Sequence, residues 1–254
     1  GPLARRLDRG ITGLRLVAIS ARDLEKAKLR TTGLARRVPV LPPGALPDHA
    51  DVIVECAPAA AFRAIAEPAL RAGRILMPVS VGALLEHPEL IELARASGAR
   101  IIVPTGALLG LDAVRAAAEG RIDSVRMITR KPPEGLAGAP YLERHGIEVE
   151  ALSEPLKVFE GTAREGAAGF PANVNVAAAL SLAGIGADRT RLEIWADPTV
   201  TRNTHRIVVE ADSARFEMQI ENVPSEENPR TGRITALSVL AALRGLVASL
   251  KIGS

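Results

Sequence analysis

The side chains best suited to acid–base chemistry in this sequence are its four histidines, His49, His87, His145 and His205. Histidine has the ordinary pKa closest to neutral pH. His49 and His87 are predicted surface positions, and His145 falls in a predicted loop. His205 follows the polar run 201–204 and begins a predicted strand, so it lies at a sheet edge among hydrogen-bonding neighbours. Position alone favours a structural role for His205, with catalysis as the alternative.

Two other segments carry ligand-binding groups. Residues 129–133 (Thr-Arg-Lys-Pro-Pro) place Arg130 and Lys131 just beyond a predicted strand, where two cations can hold a carboxylate or be solvated. Residues 170–176 lead into an Ala-rich helix, in which Asn173 is a natural N-cap. Asn175, one turn in, can bond a ligand amide or face solvent. We find no Cys/His cluster at metal-ligand spacing and no G-x-S-x-G motif, and we predict no metal site.

Composition limits the classes of function. The chain has 254 residues, of which 47% are apolar, enough for two domains with real cores. Aromatic residues make up 2% and the net charge is +3, so we predict no nucleic-acid partner. The single cysteine, Cys56, suits a reducing cytoplasm. We find no signal peptide and no membrane-spanning run, and we predict a cytoplasmic protein without a membrane partner.

The elements that must position these groups change character along the chain. The first half alternates helices with apolar runs that favour a parallel sheet covered on both faces. The predicted strands are 14–19, 51–56, 74–79 and 100–103, and the predicted helices lie near 24–34, 59–72 and 86–97. This order predicts a doubly wound, Rossmann-like domain at residues 1–105, completed by a C-terminal helix within 231–254.

The second half shows the period-two alternation of an antiparallel sheet with one wet face. The predicted strands are 124–129, 191–195, 206–210 and 215–220, and the predicted helices lie near 111–119, 173–183 and 233–250. A hairpin turn at 211–214 joins the last two strands. We therefore predict an α/β protein whose second, smaller α+β domain, residues 106–230, has a mostly antiparallel sheet.

A Rossmann-like domain normally opens with a strand and a G-x-G-x-x-G turn that binds the dinucleotide pyrophosphate. Here the strand and the first two glycines are absent, and Gly1 stands where the third glycine belongs. The alternatives are that Gly1 is an ordinary residue before a helix or the remnant of a cleaved tag. Loss of a central strand would leave its neighbours unpaired, so we expect residues to precede Gly1 in the natural protein.

Other candidate cofactor contacts follow the predicted strands. Ala21 occupies the position usually taken by an acidic residue that binds the ribose, so Ser20 and Arg22 can contact a 2′-phosphate, which favours NADP at least as much as NAD. Alternatively, Arg22 simply opens a solvated helix. Ala57 and Ser80 follow two strands at their carboxyl ends, where ligands bind open α/β sheets. Ordinary helix entry is the default interpretation of both positions.

Several segments together resemble the L-aspartate dehydrogenase family over nearly the whole chain. They are 105–112 (TGALLGLD), 129–133 (TRKPP), 170–178 (FPANVNVAA), 197–205 (DPTVTRNTH) and 221–232 (ENVPSEENPRTG). The resemblance implies oxidative deamination of L-aspartate to oxaloacetate and ammonia through iminoaspartate, with NAD or NADP. It also implies a homodimer whose product feeds NAD biosynthesis, with catalysis and dimerisation assigned to the domain at residues 106–230. Two features depart from the family pattern: the glycine fingerprint is missing, and Leu109 replaces a loop glycine.

The resemblance also implies roles for individual residues. Ala107 and Asn175 would contact the cofactor, and His205 would be the active-site residue that activates water. Lys131 and Arg202 would hold the substrate carboxylates, and the neighbouring side chains Asn203 and Thr204 complete the predicted substrate site. Two alternative hypotheses remain: a dehydrogenase of this fold that acts on another amino or hydroxy acid, and a non-catalytic nucleotide sensor.

Overall fold

The computed structural model describes residues 2–171, 174–226 and 231–253. The chain forms two compact units: the first comprises Gly1–Pro104 and Ala236–Ile252, and the second comprises Thr105–Thr235 and Gly253–Ser254. None of the described helices is long and apolar enough to cross a membrane. The described residues also contain no group of three His, Cys, Asp or Glu side chains placed to hold a metal ion.

The first unit contains a three-stranded parallel sheet in the order β1-β2-β3. Its strands are β1 (Val52–Glu55), β2 (Ile75–Pro78) and β3 (Arg100–Ile101). The helices of this part of the chain are α1 (Pro2–Asp8), α2 (Leu24–Thr31), α3 (Phe62–Arg71), α4 (Val81–Glu86) and α5 (Glu89–Ser97), with short 3₁₀ turns at Pro43–Asp48 and Ala59–Ala61. The parallel register brings the carboxyl ends of β1 and β2 to one edge, since Glu55 pairs with Pro78.

Buried apolar side chains cover both faces of this sheet. One face carries a cluster contributed by β1, β2 and α3–α5: Ile53, Phe62, Leu70, Leu76 and Leu90. On the other face, Met77 packs with Val239 and Leu243 of the C-terminal helix α10 (Ile234–Val247). Helices therefore lie on both sides of a parallel sheet, which confirms the Rossmann-like prediction.

The predicted strand at residues 14–19 is wrong. Beyond a local bridge between Ile11 and Leu14, the segment pairs only through Ile19, which forms an isolated parallel bridge with Val40. An apolar run becomes a strand only where backbone partners continue along its length. The described residues supply such partners at one position of this segment.

The second unit contains a five-stranded sheet in the order β5-β6-β4-β7-β8. Its strands are β4 (Ile122–Lys131), β5 (Leu156–Thr162), β6 (Arg191–Ala196), β7 (Asn203–Ala211) and β8 (Arg215–Asn222). Its helices are α6 (Leu111–Ala118), α7 (Pro140–His145), α8 (Ala163–Gly169) and α9 (Asn175–Ala183), with a 3₁₀ turn at Pro133–Gly135. All neighbouring pairs are antiparallel except β4 and β6, which confirms a mostly antiparallel sheet.

The sequence patterns we considered did not reveal β5, α7 or α8. The start of α8 had a readable signal, because Thr162 and Glu165 form a capping box in which each side chain accepts a hydrogen bond from the other's backbone N–H. His145 is not in a loop as predicted, since it ends α7, where its Nδ1 lies 2.8 Å from the carbonyl oxygen of Tyr141.

Candidate active site

His205 lies on the buried face of the second unit's sheet and is 3% exposed. His205 is the third residue of its strand, β7, close to the predicted strand start, and β7 runs between β4 and β8. His205 pairs with Thr129 of β4, and its Nδ1 lies 3.1 Å from the Thr129 hydroxyl. The hydroxyl therefore fixes the ring orientation of a histidine that is almost fully enclosed.

The protonation state of His205 follows from this environment. Burial lowers its pKa to about 3, and the nearby positive charge of Lys131 lowers it as well. At neutral pH the ring is uncharged, so one nitrogen carries a proton and the other offers a lone pair. When Nδ1–H donates to Thr129, the lone pair on Nε2 is the basic group.

Lys131 lies on the same face of β4 as Thr129 because the two residues are two positions apart in one strand. It is 5% exposed, and burial lowers its pKa to about 8. At neutral pH it is still mainly a cation. Its positive charge and its position beside His205 make it a candidate contact for an anionic ligand.

The prediction that Arg130 and Lys131 form one cationic pair at a strand end is wrong. Strand β4 continues to Lys131, and successive strand residues face opposite sides of a sheet. The Arg130 guanidinium donates to the Asp197 carboxylate at 2.9 Å and stacks over the Trp195 ring at 4.8 Å from its centroid. Arg130 is thereby held in an ion pair with Asp197, and Lys131 lies on the face of the sheet that carries His205.

Asp197 organises the turn that leads into β7. Its Oδ1 accepts hydrogen bonds from the Thr199 amide at 2.9 Å and hydroxyl at 2.6 Å, while its Oδ2 accepts the bond from Arg130. Burial alone would raise the pKa of Asp197, but the bonds from Thr199 and Arg130 outweigh burial and lower it. Asp197 therefore stays ionised and anchors the turn that directly follows β6, which ends at Ala196.

The other predicted substrate residues are divided between the two faces. Asn203 begins β7 on the same face as His205, two positions away. Thr204, between them, pairs with Arg130 and Glu221 and faces the opposite side, so the structure does not bring its side chain to His205. Arg202 is exposed in the bend before β7.

Asn222 is a buried residue of this region whose role the sequence patterns did not indicate. It pairs with Asn203 across β7 and β8 and is 3% exposed. Its Nδ2 donates to the carbonyl oxygen of Ala107 at 3.0 Å, although 115 residues separate them. Asn222 therefore holds the loop containing Ala107 beside the end of β8. Its position in the resembling segment 221–232 was the one available sequence signal.

The loop around Ala107 also depends on glycine. Gly110 has a φ of +66° as the N-cap of α6, a conformation that favours glycine. A Cβ at this position would lie 1.9 Å from Met218 Sδ. Asn175 is the first residue of α9, rather than one turn inside the helix as predicted, and Asn173 lies outside the described residues.

In the first unit, the structure brings Ala57 and Ser80 together at the carboxyl edge of the sheet. The link between them is Glu55, the last residue of β1, which is 1% exposed. Its carboxylate accepts from the amide of Ala57 at 2.5 Å and the amide of Ser80 at 3.1 Å. The Ser80 hydroxyl donates to the Ala57 carbonyl oxygen at 2.7 Å. Glu55 was not a candidate from sequence.

The remaining predicted cofactor positions have mixed outcomes. Arg22 is exposed, and the following residue, Asp23, caps α2 by accepting from the Lys26 amide at 2.9 Å. The segment therefore opens a solvated helix, which was the alternative to a 2′-phosphate contact by Arg22. The buried Ser20 hydroxyl has no hydrogen-bond partner within the described ranges. Gly1 lies outside those ranges.

Comparison with known proteins places the chain in a family. Residues 1–104 match the model for the NAD binding domain of homoserine dehydrogenase, and residues 112–246 match the model for the C-terminal part of aspartate dehydrogenase. L-aspartate dehydrogenase of Bradyrhizobium diazoefficiens is 60% identical over 252 residues, which cover 99% of this chain and 89% of that protein. L-aspartate dehydrogenase 3 of Bordetella bronchiseptica is 56% identical over 253 residues, which cover 99% and 93%.

A solved structure agrees in fold. The crystal structure of aspartate dehydrogenase from Thermotoga maritima aligns with a TM-score of 0.76 and 24% identity, covering 100% of this chain and 96% of that one. The model for the C-terminal part of aspartate dehydrogenase matches more than half of the chain, and the relatives align over almost all of it. On these grounds, the chain belongs to the L-aspartate dehydrogenase family.

Proposed function

We propose that this protein oxidises L-aspartate to iminoaspartate with NAD or NADP and hydrolyses the imine to oxaloacetate and ammonia. The observation that carries the proposal is the buried group of Thr129, Lys131 and His205, which combines a cation with a neutral base in a chain of this family. We also propose that the protein works as a cytoplasmic homodimer whose iminoaspartate feeds synthesis of the pyridine ring of NAD. The family resemblance supports these finer statements.

The described residues fit a dinucleotide cofactor. The buried Ser20 hydroxyl lacks a partner among them, and a ribose or phosphate oxygen would satisfy it. In the first unit, Ser20, Ala57 and Ser80 would hold the cofactor. The family resemblance supports Ala107 and Asn175 as further cofactor contacts. When bound, the nicotinamide supplies the hydride acceptor for the substrate Cα–H bond.

Lys131 binds a substrate carboxylate in this proposal. Its ammonium group is buried and mainly charged at neutral pH, so it attracts a carboxylate with little screening by water. The exposed Arg202 can hold the second carboxylate from the bend before β7. These two contacts select a dicarboxylic amino acid over a monocarboxylic one.

His205 acts on water after the Cα–H bond is broken. With Nδ1–H donating to Thr129, Nε2 removes a proton from the water that attacks the imine carbon. The same nitrogen returns the proton as the carbon–nitrogen bond of the carbinolamine breaks, which releases ammonia and leaves oxaloacetate. A bound carboxylate offsets the charge of Lys131, which removes one cause of the low His205 pKa and makes the ring a better base.

A substrate and cofactor panel tests this proposal. The absorbance of the reduced cofactor is followed with L-aspartate, L-glutamate, L-alanine and L-malate, each with NAD and with NADP. We expect L-aspartate to give the highest kcat/KM of the four, and to exceed the monocarboxylic L-alanine by at least about tenfold, as the second carboxylate contact implies. Faster turnover of L-malate or L-alanine would establish a different substrate, and cofactor binding without any turnover would favour a sensor.

A further inference from the structure

We propose that Glu55 is a positioning residue, which holds the two loops after β1 and β2 in the shape that binds the nicotinamide cofactor. This inference rests on the proposed function, because Ala57 and Ser80 are cofactor contacts only if a dinucleotide binds at this edge. Glu55 itself is 1% exposed, so it acts through these two residues and does not touch the ligand.

The geometry gives each carboxylate oxygen a separate loop. Oε1 accepts from the Ala57 amide at 2.5 Å, and Oε2 accepts from the Ser80 amide at 3.1 Å. The Ser80 hydroxyl closes the ring, because it donates to the Ala57 carbonyl oxygen at 2.7 Å and lies 3.1 Å from Oε1. The main chain adds a fourth link, from the Val79 amide to the Glu55 carbonyl oxygen at 2.9 Å.

A carboxylate at this position is expensive if its role is only to fill space. Glu55 follows Ile53 on the apolar face of β1, where an aliphatic side chain would pack without losing hydration. Burial accordingly raises the pKa of Glu55, and the bonds from Ser80 and Ala57 oppose that rise. A carboxylate is the side chain that can accept from two backbone amides on different loops through two equivalent oxygens.

The bonds to Glu55 determine which atoms of the two loops are left to contact a ligand. Because the amides of Ala57 and Ser80 both donate to Glu55, they are directed at the carboxylate. The remaining atoms of the two loops must therefore make the contacts to the cofactor. Their positions depend on the two bonds that Glu55 accepts.

The test is Glu55→Gln in the full chain. Glutamine keeps the size of the side chain, but its NH₂ group would face one of the two backbone amides. Two donors cannot form a hydrogen bond, so one loop loses its anchor. We expect the Kd for NADH, measured by fluorescence titration, to rise about tenfold, as loss of one charge-assisted hydrogen bond implies. The KM for the oxidised cofactor should rise with it, while kcat at saturating cofactor and the KM for L-aspartate change less than about twofold.

Glu67→Gln is the matched control. Glu67 is a carboxylate on the surface of α3 in the same unit, bonded to Arg63 and Arg71, and its loss should leave the Kd for NADH unchanged. A Glu55→Gln protein that binds NADH like the parent overturns the positioning role and leaves the proposed activity standing. NADH binding that weakens in Glu55→Gln without any aspartate turnover in the parent supports the positioning role and overturns the activity.

Ser80→Ala keeps the proposal testable if Glu55→Gln does not fold. This variant removes the hydroxyl that bridges Ala57 and Glu55 but keeps both amide bonds to the carboxylate. We expect a Kd for NADH about threefold above that of the parent. An unchanged Kd would overturn the proposal that this ring of bonds shapes the cofactor loops.

Discussion

The burial of His205 should make the stability of the second unit depend on pH, and His205→Asn should remove that dependence. Burial and the charge of Lys131 lower the pKa of His205 from 6.5 to about 3. Between these values the unfolded chain binds a proton that the folded chain does not. Stability is therefore lost as the pH falls through this window.

The size of the effect follows from the shift. Each pH unit inside the window changes the free energy of unfolding by about 1.4 kcal/mol. Between pH 7 and pH 4.5 the contribution of His205 comes to about 2.5 kcal/mol on this basis. Carboxylates also titrate in this range, but they contribute equally to the stability of the parent and of the variant. The difference in stability between the two proteins therefore isolates the contribution of His205.

Urea unfolding at the two pH values measures that difference. Trp195 is the single tryptophan and lies in β6 of the same sheet, so its fluorescence reports the unfolding of this unit. Asparagine retains a polar group near Thr129, and His49→Asn, which removes an exposed histidine, controls for loss of any imidazole. A difference between parent and His205→Asn that stays constant from pH 7 to pH 4.5 would refute the argument from burial.

Three further predictions concern the second unit. Burial lowers the pKa of Lys131 to about 8, so the cation is lost as the pH rises above that value. Above this pH, the inhibition constant of the dicarboxylate succinate should rise about tenfold per pH unit. Succinate should inhibit the Lys131→Met variant only weakly, and equally so at every pH. Asn222→Ala leaves a loop carbonyl without its donor, and we expect a loss of about 1–3 kcal/mol in urea unfolding together with a higher KM for the cofactor. Gly110→Ala should cost more than Gly186→Ala in the same unfolding assay. Both glycines have positive φ, but only the first would press a Cβ against Met218. Equal costs would contradict the steric argument.

Local pattern was enough to predict most of the fold, because periodicity reports which side of an element is buried. The strands around Ile53, Leu76 and Ile207 and the helices that cover them followed from apolar spacing. The same signal misled at residues 14–19, since an apolar run shows burial but does not show whether backbone partners exist.

The site was harder to predict because small local differences and distant contacts determine it. Extending β4 by two residues separates Arg130 from Lys131 onto opposite faces, and boundaries of that precision are not encoded in the pattern. The contact between Asn222 and Ala107 spans 115 residues. The hydrogen bonds that Glu55 accepts from Ser80 likewise depend on two strands being neighbours in the sheet. His205 was identified through family resemblance, while its burial and its partner Thr129 came from the structure.

The most direct test of the proposed chemistry is a paired measurement of reduced cofactor and ammonia produced from L-aspartate by the parent and by His205→Asn. We expect the parent to form the two products in equal amounts. The variant should bind the cofactor normally but turn over more slowly by a factor on the order of 10²–10⁴, as loss of a general base implies. Near-parental turnover by the variant, or a parent that binds NADH yet forms neither product from L-aspartate, would contradict the assignment of His205 and the activity proposed for this chain.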